Sequence, residues 1–281
     1  MRVTVPLVTL DVSVLTENGF SVPDLKKENF RVFEDGVPQT LTGFSEKHAP
    51  ITAVLLVEFT SDISALQLNA LRAGYSFSKT FKEDDWAALI VFDKHVHIAQ
   101  DFTQDKNAVT RTLSRLDPPL LREINLYDSL IETLDRLQQV EGRKYIILMA
   151  SGLNTFSKHI YDDVLKRIET AKDTVIYAID TSRRFRHLRE ENQMGVFARM
   201  TGGRVFFPTS DYGYAAALQD IGQSIRNRYI LSYRPTHTPD GSWHKLKISV
   251  VNPEGSVPGS KDDIGRKYQV IAREGYRAEQ R

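Results

Sequence analysis

The spacing of apolar and polar residues changes character twice along the chain. Between Val3 and Val14 apolar and polar positions alternate, with Val3, Val5 and Leu7 on one parity and Leu10, Val12 and Val14 on the other. A period of two marks a strand with one buried face. The parity switch near Val8 and Thr9 predicts a bulge or two short strands. Asn18-Gly19 is a turn signal, Phe30–Phe33 predicts a second strand closed by the Asp35-Gly36 hairpin turn, and Gln39–Phe44 predicts a third. Residues 1–47 show no helical spacing.

At Ile51 the pattern changes. Val54–Val57 is apolar without alternation, as in a strand buried on both faces at the centre of a parallel sheet. It ends on Glu58, followed by Thr60 and Asp62. A helix is predicted through Leu68, Leu71 and Tyr75, which are three and four apart. Trp86–Phe92 predicts a second buried strand, and His95–Ile98 an alternating partner across an Asp93-Lys94 turn. Residues 105–116 read as a helix ended by Pro118-Pro119. Leu126, Leu130, Leu134 and Leu137 mark another, stopped by Gly142. Tyr145–Met149, Val175–Ile179 and Val205–Phe207 follow as strands. Helices are predicted over 160–171, from Val196 to a stop at Thr201-Gly202-Gly203, and through Leu218, Ile221 and Ile225. Strands alternating with helices predict a doubly wound, mostly parallel sheet, with one antiparallel edge. In such sheets ligands sit beyond the carboxyl ends of the strands, which directs attention to Glu58–Asp62.

After Asn227 the β texture returns, in Tyr229–Tyr233, Leu246–Val250 and Tyr268–Ile271, with a Pro/Gly/Ser loop from Asn252 to Asp263. Neither terminal β segment is large enough to bury its own core. The expected organisation is therefore an N-terminal β segment (1–48), a central α/β domain (49–227) and a C-terminal β segment (228–281) that joins the first in one β-sandwich.

Composition narrows the function. The chain has 281 residues, with 37 Lys+Arg against 36 Asp+Glu, so charge alone predicts no nucleic-acid binding. It has no cysteine, which excludes disulfides, zinc–thiolate sites and cysteine nucleophiles. No run reaches the roughly 18 apolar residues of a membrane span, and residues 1–15 contain no signal-peptide-like apolar core. The sequence lacks Gly-x-Ser-x-Gly, Gly-x-Gly-x-x-Gly after a strand, a P-loop and His-Glu-x-x-His. Ser151-Gly152 follows a strand but has no flanking glycine at the offset of a nucleophile elbow. The expectation is a non-enzymatic protein.

Several stretches in fixed order carry a family likeness. They are Val54–Asp62, Leu126-Tyr127-Asp128-Ser129-Leu130, Ile146–Gly152 and Thr201-Gly202-Gly203-Arg204. The flanks add Phe30–Gly36, Tyr229–Pro235 and Arg273-Glu274-Gly275-Tyr276. Together the chain resembles a von Willebrand factor type A domain flanked by β segments and, more narrowly, the bacterial VWFA-related proteins common in acidobacteria. The resemblance implies a metal-ion-dependent adhesion site made of Asp-x-Ser-x-Ser, a Thr and an Asp, which binds Mg²⁺ and a partner's carboxylate. At those positions this chain has Glu58, Thr60 and Asp62, then Ile124, then Ser151. The departures predict a degenerate site that keeps the fold without the metal. The alternative is a weakened site held by Glu58, Thr60 and Asp62. The expected binding face comprises Glu58, Thr60, Asp62, Ile124, Asn125, Asp128, Ser151 and Asn154, with a protein or peptide as partner and no cofactor. The family also implies a secreted, periplasmic or surface location. A structural or assembly role through the sandwich edges is the other class kept open.

Other polar groups read as structural. Asp128 suits the first turn of its helix or a loop backbone. His95 and His97 read as an exposed edge without a third metal ligand. Arg183–Arg189 reads as a solvated connection, and Trp243 as either an exposed hairpin aromatic or sandwich core.

Overall fold

The structure is a computed structural model, and it describes residues 7–17, 21–46, 50–61, 81–117, 120–182, 193–237, 240–251 and 268–278. Several expectations lie outside these residues: the Asn18-Gly19 turn, Asp62, the helix through Leu68–Tyr75, Pro118-Pro119, Arg183–Arg189 and the Asn252–Asp263 loop. The described strands, in chain order, are β1 (Val8–Thr16), β2 (Phe30–Glu34), β3 (Val37–Gln39), β4 (Leu41–Glu46), β5 (Ile51–Glu58), β6 (Trp86–Phe92) and β7 (Val96–Thr103). They continue as β8 (Arg143–Ala150), β9 (Thr174–Asp180), β10 (Val205–Phe206), β11 (Arg228–Tyr233), β12 (Trp243–Val250), β13 (Tyr268–Ile271) and β14 (Gly275–Arg277). The described helices are α1 (Lys106–Leu113), α2 (Leu126–Gln138), α3 (Tyr161–Thr170), α4 (Gln193–Thr201) and α5 (Asp211–Arg226). The chain divides into two compact units. One is Met1–His48, Arg199–Gly202 and Ser224–Arg281, and the other is Ala49–Ala198 and Gly203–Gln223.

The first unit contains two four-stranded antiparallel sheets, ordered β13-β1-β11-β4 and β14-β12-β2-β3. Both contribute to one apolar core: Leu10, Val12 and Val14 of β1 and Leu231 of β11 share it with Phe30 and Val32 of β2 and Leu246 of β12. Each sheet would be half-solvated alone, so the shared core is what makes a sandwich stable. Arg228 is buried, and its guanidinium bonds Asp11 Oδ1, the Asp11 carbonyl (2.8 Å) and the Gly202 carbonyl (2.9 Å).

Three expectations are corrected here. β1 runs in unbroken register with β11 from Val8 to Ser13, with Val8, Leu10, Val12 and Val14 inward and Leu7 exposed, so no bulge falls at Val8 and Thr9; Val3 and Val5 lie outside the described residues. The single strand expected over Gln39–Phe44 is two. β3 pairs with β2 in one sheet and β4 with β11 in the other, so the chain changes sheets at Thr40. Gly275–Arg277 is a further strand, β14; Trp243 of β12 packs where a Gly275 Cβ would sit, so a side chain there would displace the indole.

The second unit is built on a six-stranded sheet, ordered β10-β9-β8-β5-β6-β7, parallel except for the β6–β7 pair. β8 and β9 are buried along their full length, as the unbroken apolar runs require. Buried Asp85 accepts the Ile51 N–H (3.0 Å) and fixes where β5 begins. α2 places Leu126, Leu130, Leu134 and Leu137 inward and packs on β5 and α3. Its buried Ser129 and Thr133 donate to carbonyls four residues back, at 2.5 and 2.7 Å, so burial leaves no hydroxyl unpaired. The strand order reverses at β5, which has β6 on one side and β8 on the other. The crevice past the ends of β5 and β8 is thus the topological switch point, where ligands of open α/β sheets bind.

Candidate functional site

β5 ends on half-buried Glu58, and Ser151 immediately follows β8. The two residues are bonded to each other. Glu58 Oε2 accepts the Ser151 N–H at 2.8 Å and the Ser151 hydroxyl at 2.7 Å. Glutamate is one methylene longer than aspartate, and that length lets it span to the neighbouring strand end. Ser151 Oγ in turn accepts the Leu153 N–H at 3.3 Å. Thr60 is buried, and Ser61 N–H donates to the Leu121 carbonyl at 2.8 Å, tying this segment to the next loop.

Ile124, which precedes α2, is buried. Its backbone makes a clasp with the loop after β8: its N–H donates to Thr155 Oγ1 (2.8 Å), and its carbonyl accepts Thr155 and Phe156 N–H (2.8 and 2.9 Å). Asn125 bonds the β6–β7 turn, through its N–H to the Asp93 carbonyl and its Nδ2 to the Lys94 carbonyl. The start of α2 is capped from outside. Asn125 precedes the helix, but its side chain makes no cap bond. Asn154 Oδ1 instead accepts the Leu126 and Tyr127 N–H groups (3.0 and 3.4 Å), and Ser157 Oγ takes those of Tyr127 and Asp128 (3.2 and 3.5 Å). Helix starts leave such donors unpaired unless something supplies an acceptor.

Asp128 completes the fastening. Its carboxylate accepts the Lys158 and His159 N–H groups at 3.0 Å each and meets His159 Nδ1 at 2.8 Å. Burial pushes this carboxyl up, but those N–H groups and the His159 ring outweigh it, so it lies below its ordinary range. The loop Ser151–Ile160 is therefore held by fixed bonds on both its β5 and α2 sides, yet it presents Leu153, Phe156 and Ile160 at 44%, 47% and 62% exposure. Lys94 Nζ lies 4.5 Å from the Phe156 ring centre. Leu120, on the adjacent loop, is 91% exposed.

Thr60, Ile124, Asn125, Ser151 and Asn154 lie on the loops at this end of the sheet, with Glu58 closing β5 and Asp128 in the first turn of α2. Thr155, at the edge of the expected Ser151–Thr155 stretch, belongs with them, and so do Phe156, Ser157 and His159, which lie beyond it. Their only signal is local: capping residue types interleaved with apolar ones over 151–160. Mg²⁺ requires near-octahedral oxygens at about 2.0–2.1 Å. The Ile124 side chain offers no oxygen, and the neutral Ser151 hydroxyl donates its hydrogen bond to Glu58. Of the described positions, Ile124 and Ser151 thus supply no carboxylate oxygen for that ion. On β7 and the turn before it, His95 and His97 do have an acidic neighbour, Asp93, whose Oδ1 lies 3.8 and 3.7 Å from their ring nitrogens; both rings are over half exposed.

Solved structures share the fold. The von Willebrand factor type A protein from Catenulispora acidiphila superposes with a TM-score of 0.54 at 8% identity, over 98% of this chain and 75% of that one. The vWF domain of the type V pili tip protein Mfa5 from Porphyromonas gingivalis gives 0.52 at 13% identity, over 63% of this chain and 95% of that one. The PilB minor pilin from Streptococcus sanguinis gives 0.50 at 12% identity, over 65% of this chain and 63% of that one. No protein-family model and no curated protein matches the sequence. The larger unit accordingly has a von Willebrand factor type A-like fold, accompanied by antiparallel sheets. Among the described residues no helix is long and apolar enough to cross a membrane.

Proposed function

We propose that this chain is a non-enzymatic, extracellular binding module of adhesion or assembly type, one of the bacterial VWFA-related proteins. It takes a protein or peptide at the carboxyl end of its parallel sheet without a metal ion. The observation that carries this reading is the Ser151–Ile160 loop. Asn154, Ser157 and Asp128 hold its backbone on the start of α2 while Leu153, Phe156 and Ile160 face solvent. Rigid display of apolar side chains is what a recognition surface needs, because little ordering entropy is then lost on binding. Glu58, paired with Ser151, supports recognition that does not pass through a cation. The pilus proteins that share the fold support adhesion or assembly as the setting.

Selection of a random peptide library on the immobilised chain tests the reading. Enriched peptides are expected to bind equally in EDTA and in Mg²⁺, and to be lost on Leu153→Ser/Phe156→Ser. Peptides that require Mg²⁺, or that ignore the double substitution, would count against it. Cross-links confined to 1–47 and 228–281 would favour assembly through the sandwich edges.

A further inference from the structure

The smaller unit holds a polar cluster that the binding face does not use. Glu34, at the end of β2, is 2% exposed. Its Oε1 receives the Tyr276 hydroxyl at 2.9 Å and lies 2.6 Å from His237 Nε2. His244 Nδ1 is 3.5 Å from the same oxygen and 2.7 Å from Asp35 Oδ2. The two imidazoles stack with centres 3.8 Å apart. On its far side, His244 Nε2 meets Asp240 Oδ1 at 3.2 Å. Glu34 Oε2 is buried and makes no well-formed hydrogen bond; Tyr233, whose hydroxyl pKa is pushed up by burial and by Glu34, stands near without satisfying it.

We propose that Glu34, His237 and His244 form a site for a divalent transition metal, Zn²⁺ foremost, which ties the end of β2 to β12 and the β11–β12 connection. Two imidazoles and one carboxylate make a three-ligand nitrogen–oxygen set of the kind that holds Zn²⁺ with a water in the fourth position. The candidate atoms already lie within 4.8 Å of one another, with Glu34 Oε1 2.6 Å from His237 Nε2 and 3.5 Å from His244 Nδ1, against about 3.3 Å between neighbouring ligands of a tetrahedral ion with bonds near 2.0 Å. Ligation requires the stacked rings to splay so that Nε2 of His237 and Nδ1 of His244 aim at one centre. That is a rotation about a soft terminal torsion.

The surroundings fit a cation. Three carboxylates face two imidazoles, so with both rings neutral the cluster is strongly negative. A buried carboxylate oxygen without a partner is costly, and a dication would offset that cost. Asp240 on the second nitrogen of His244 and Tyr276 on Glu34 are the outer-shell contacts that orient metal ligands. The chain has no cysteine, so a metal is the cross-link available to join segments 203 residues apart in sequence.

The test uses the full chain, stripped with EDTA and desalted, titrated with Zn²⁺ against a chromophoric chelator, and with Co²⁺ for its visible spectrum. One tight Zn²⁺ per chain is expected, with an intense tetrahedral-type Co²⁺ spectrum abolished by Zn²⁺. His237→Ala removes that site while keeping the circular dichroism and unfolding midpoint of the unmodified chain in EDTA. Asp240→Asn, at a carboxylate 43% exposed, weakens binding about 10–100-fold and serves if His237→Ala fails to fold. His95→Ala/His97→Ala leaves the site intact. Absence of stoichiometric Zn²⁺ overturns the proposal, as do retained affinity in both His237→Ala and Asp240→Asn, or loss of the site in His95→Ala/His97→Ala.

Discussion

Replacing Ser151 by Ala is expected to destabilise the larger unit by about 1–2 kcal/mol, and Glu58→Ala by about 2–4 kcal/mol, because hydrogen bonds to a charged group contribute about 1.5–3 kcal/mol each. The difference follows from the geometry. Ser151→Ala removes the 2.7 Å hydroxyl bond and keeps the 2.8 Å backbone bond, whereas Glu58→Ala removes both. In the Glu58→Ala background the hydroxyl has lost its carboxylate, so Ser151→Ala should cost only its long 3.3 Å bond from the Leu153 N–H. The double-mutant cycle then gives a coupling of about 1–2 kcal/mol. The chain has two tryptophans, Trp86 on β6 in this unit and Trp243 on β12 in the other, so urea unfolding in a Trp243→Phe background reads the larger unit alone. Each urea series is run in EDTA and again with millimolar Mg²⁺, Mn²⁺ or Ca²⁺. An ion bound only by the folded state at 100 times its Kd would add about 2.7 kcal/mol. No midpoint change is expected with any of the three. A coupling below about 0.3 kcal/mol would refute the pairing as an energetic link. A Mg²⁺ shift that vanishes in Glu58→Ala would show that Glu58 is free to serve an ion.

Asn154→Ala deletes the borrowed cap of α2, at a cost of about 1–2 kcal/mol, and hydrogen exchange at the Leu126 and Tyr127 amides should accelerate; unchanged exchange would mean Asn125 can cap the helix itself. Because the folded Asp128 pKa is depressed, its stabilising contribution is full above the unfolded value of about 3.9 and is lost as pH falls through the folded one. The stability gap between the unmodified chain and Asp128→Asn should therefore be widest near neutral pH and close below about pH 4; a gap independent of pH would remove the carboxylate from the account. Gly203→Ala would drive a Cβ into the Ile176 carbonyl of β9, and a loss of about 3 kcal/mol or more is expected, against a small one for Gly213→Ala, where the nearest contact is 3.2 Å. Equal unfolding midpoints for the two glycine variants would contradict it.

The buried strands were legible because periodicity responds to burial directly. Val54–Val57 and Tyr145–Met149 have no alternation, since a strand covered on both faces has no polar side to preserve. The α2 stripe was legible for the same reason at a period of 3.6. The sheet change at Thr40 was not, because a strand's pattern reports which face is buried and not which neighbour it pairs with. The end of β5 as the place to look also followed from sequence, but the bonding there did not. Glu58 and Ser151 are 93 positions apart, and either could have faced solvent.

The amino-acid order by itself determined an α/β unit between β-rich segments, the buried cores of its parallel strands, and the absence of a side-chain oxygen at Ile124. Tertiary structure alone decided which polar groups satisfy one another. It pairs Glu58 with Ser151, makes Asn154 the cap of a helix that starts 28 residues earlier, and gathers Glu34, Asp35, His237 and His244 from opposite ends of the chain. The physical reason is range. Burial acts on each residue through its local spacing, whereas a hydrogen bond or a ligand set requires atoms a few ångströms apart, and only the folded chain fixes that distance.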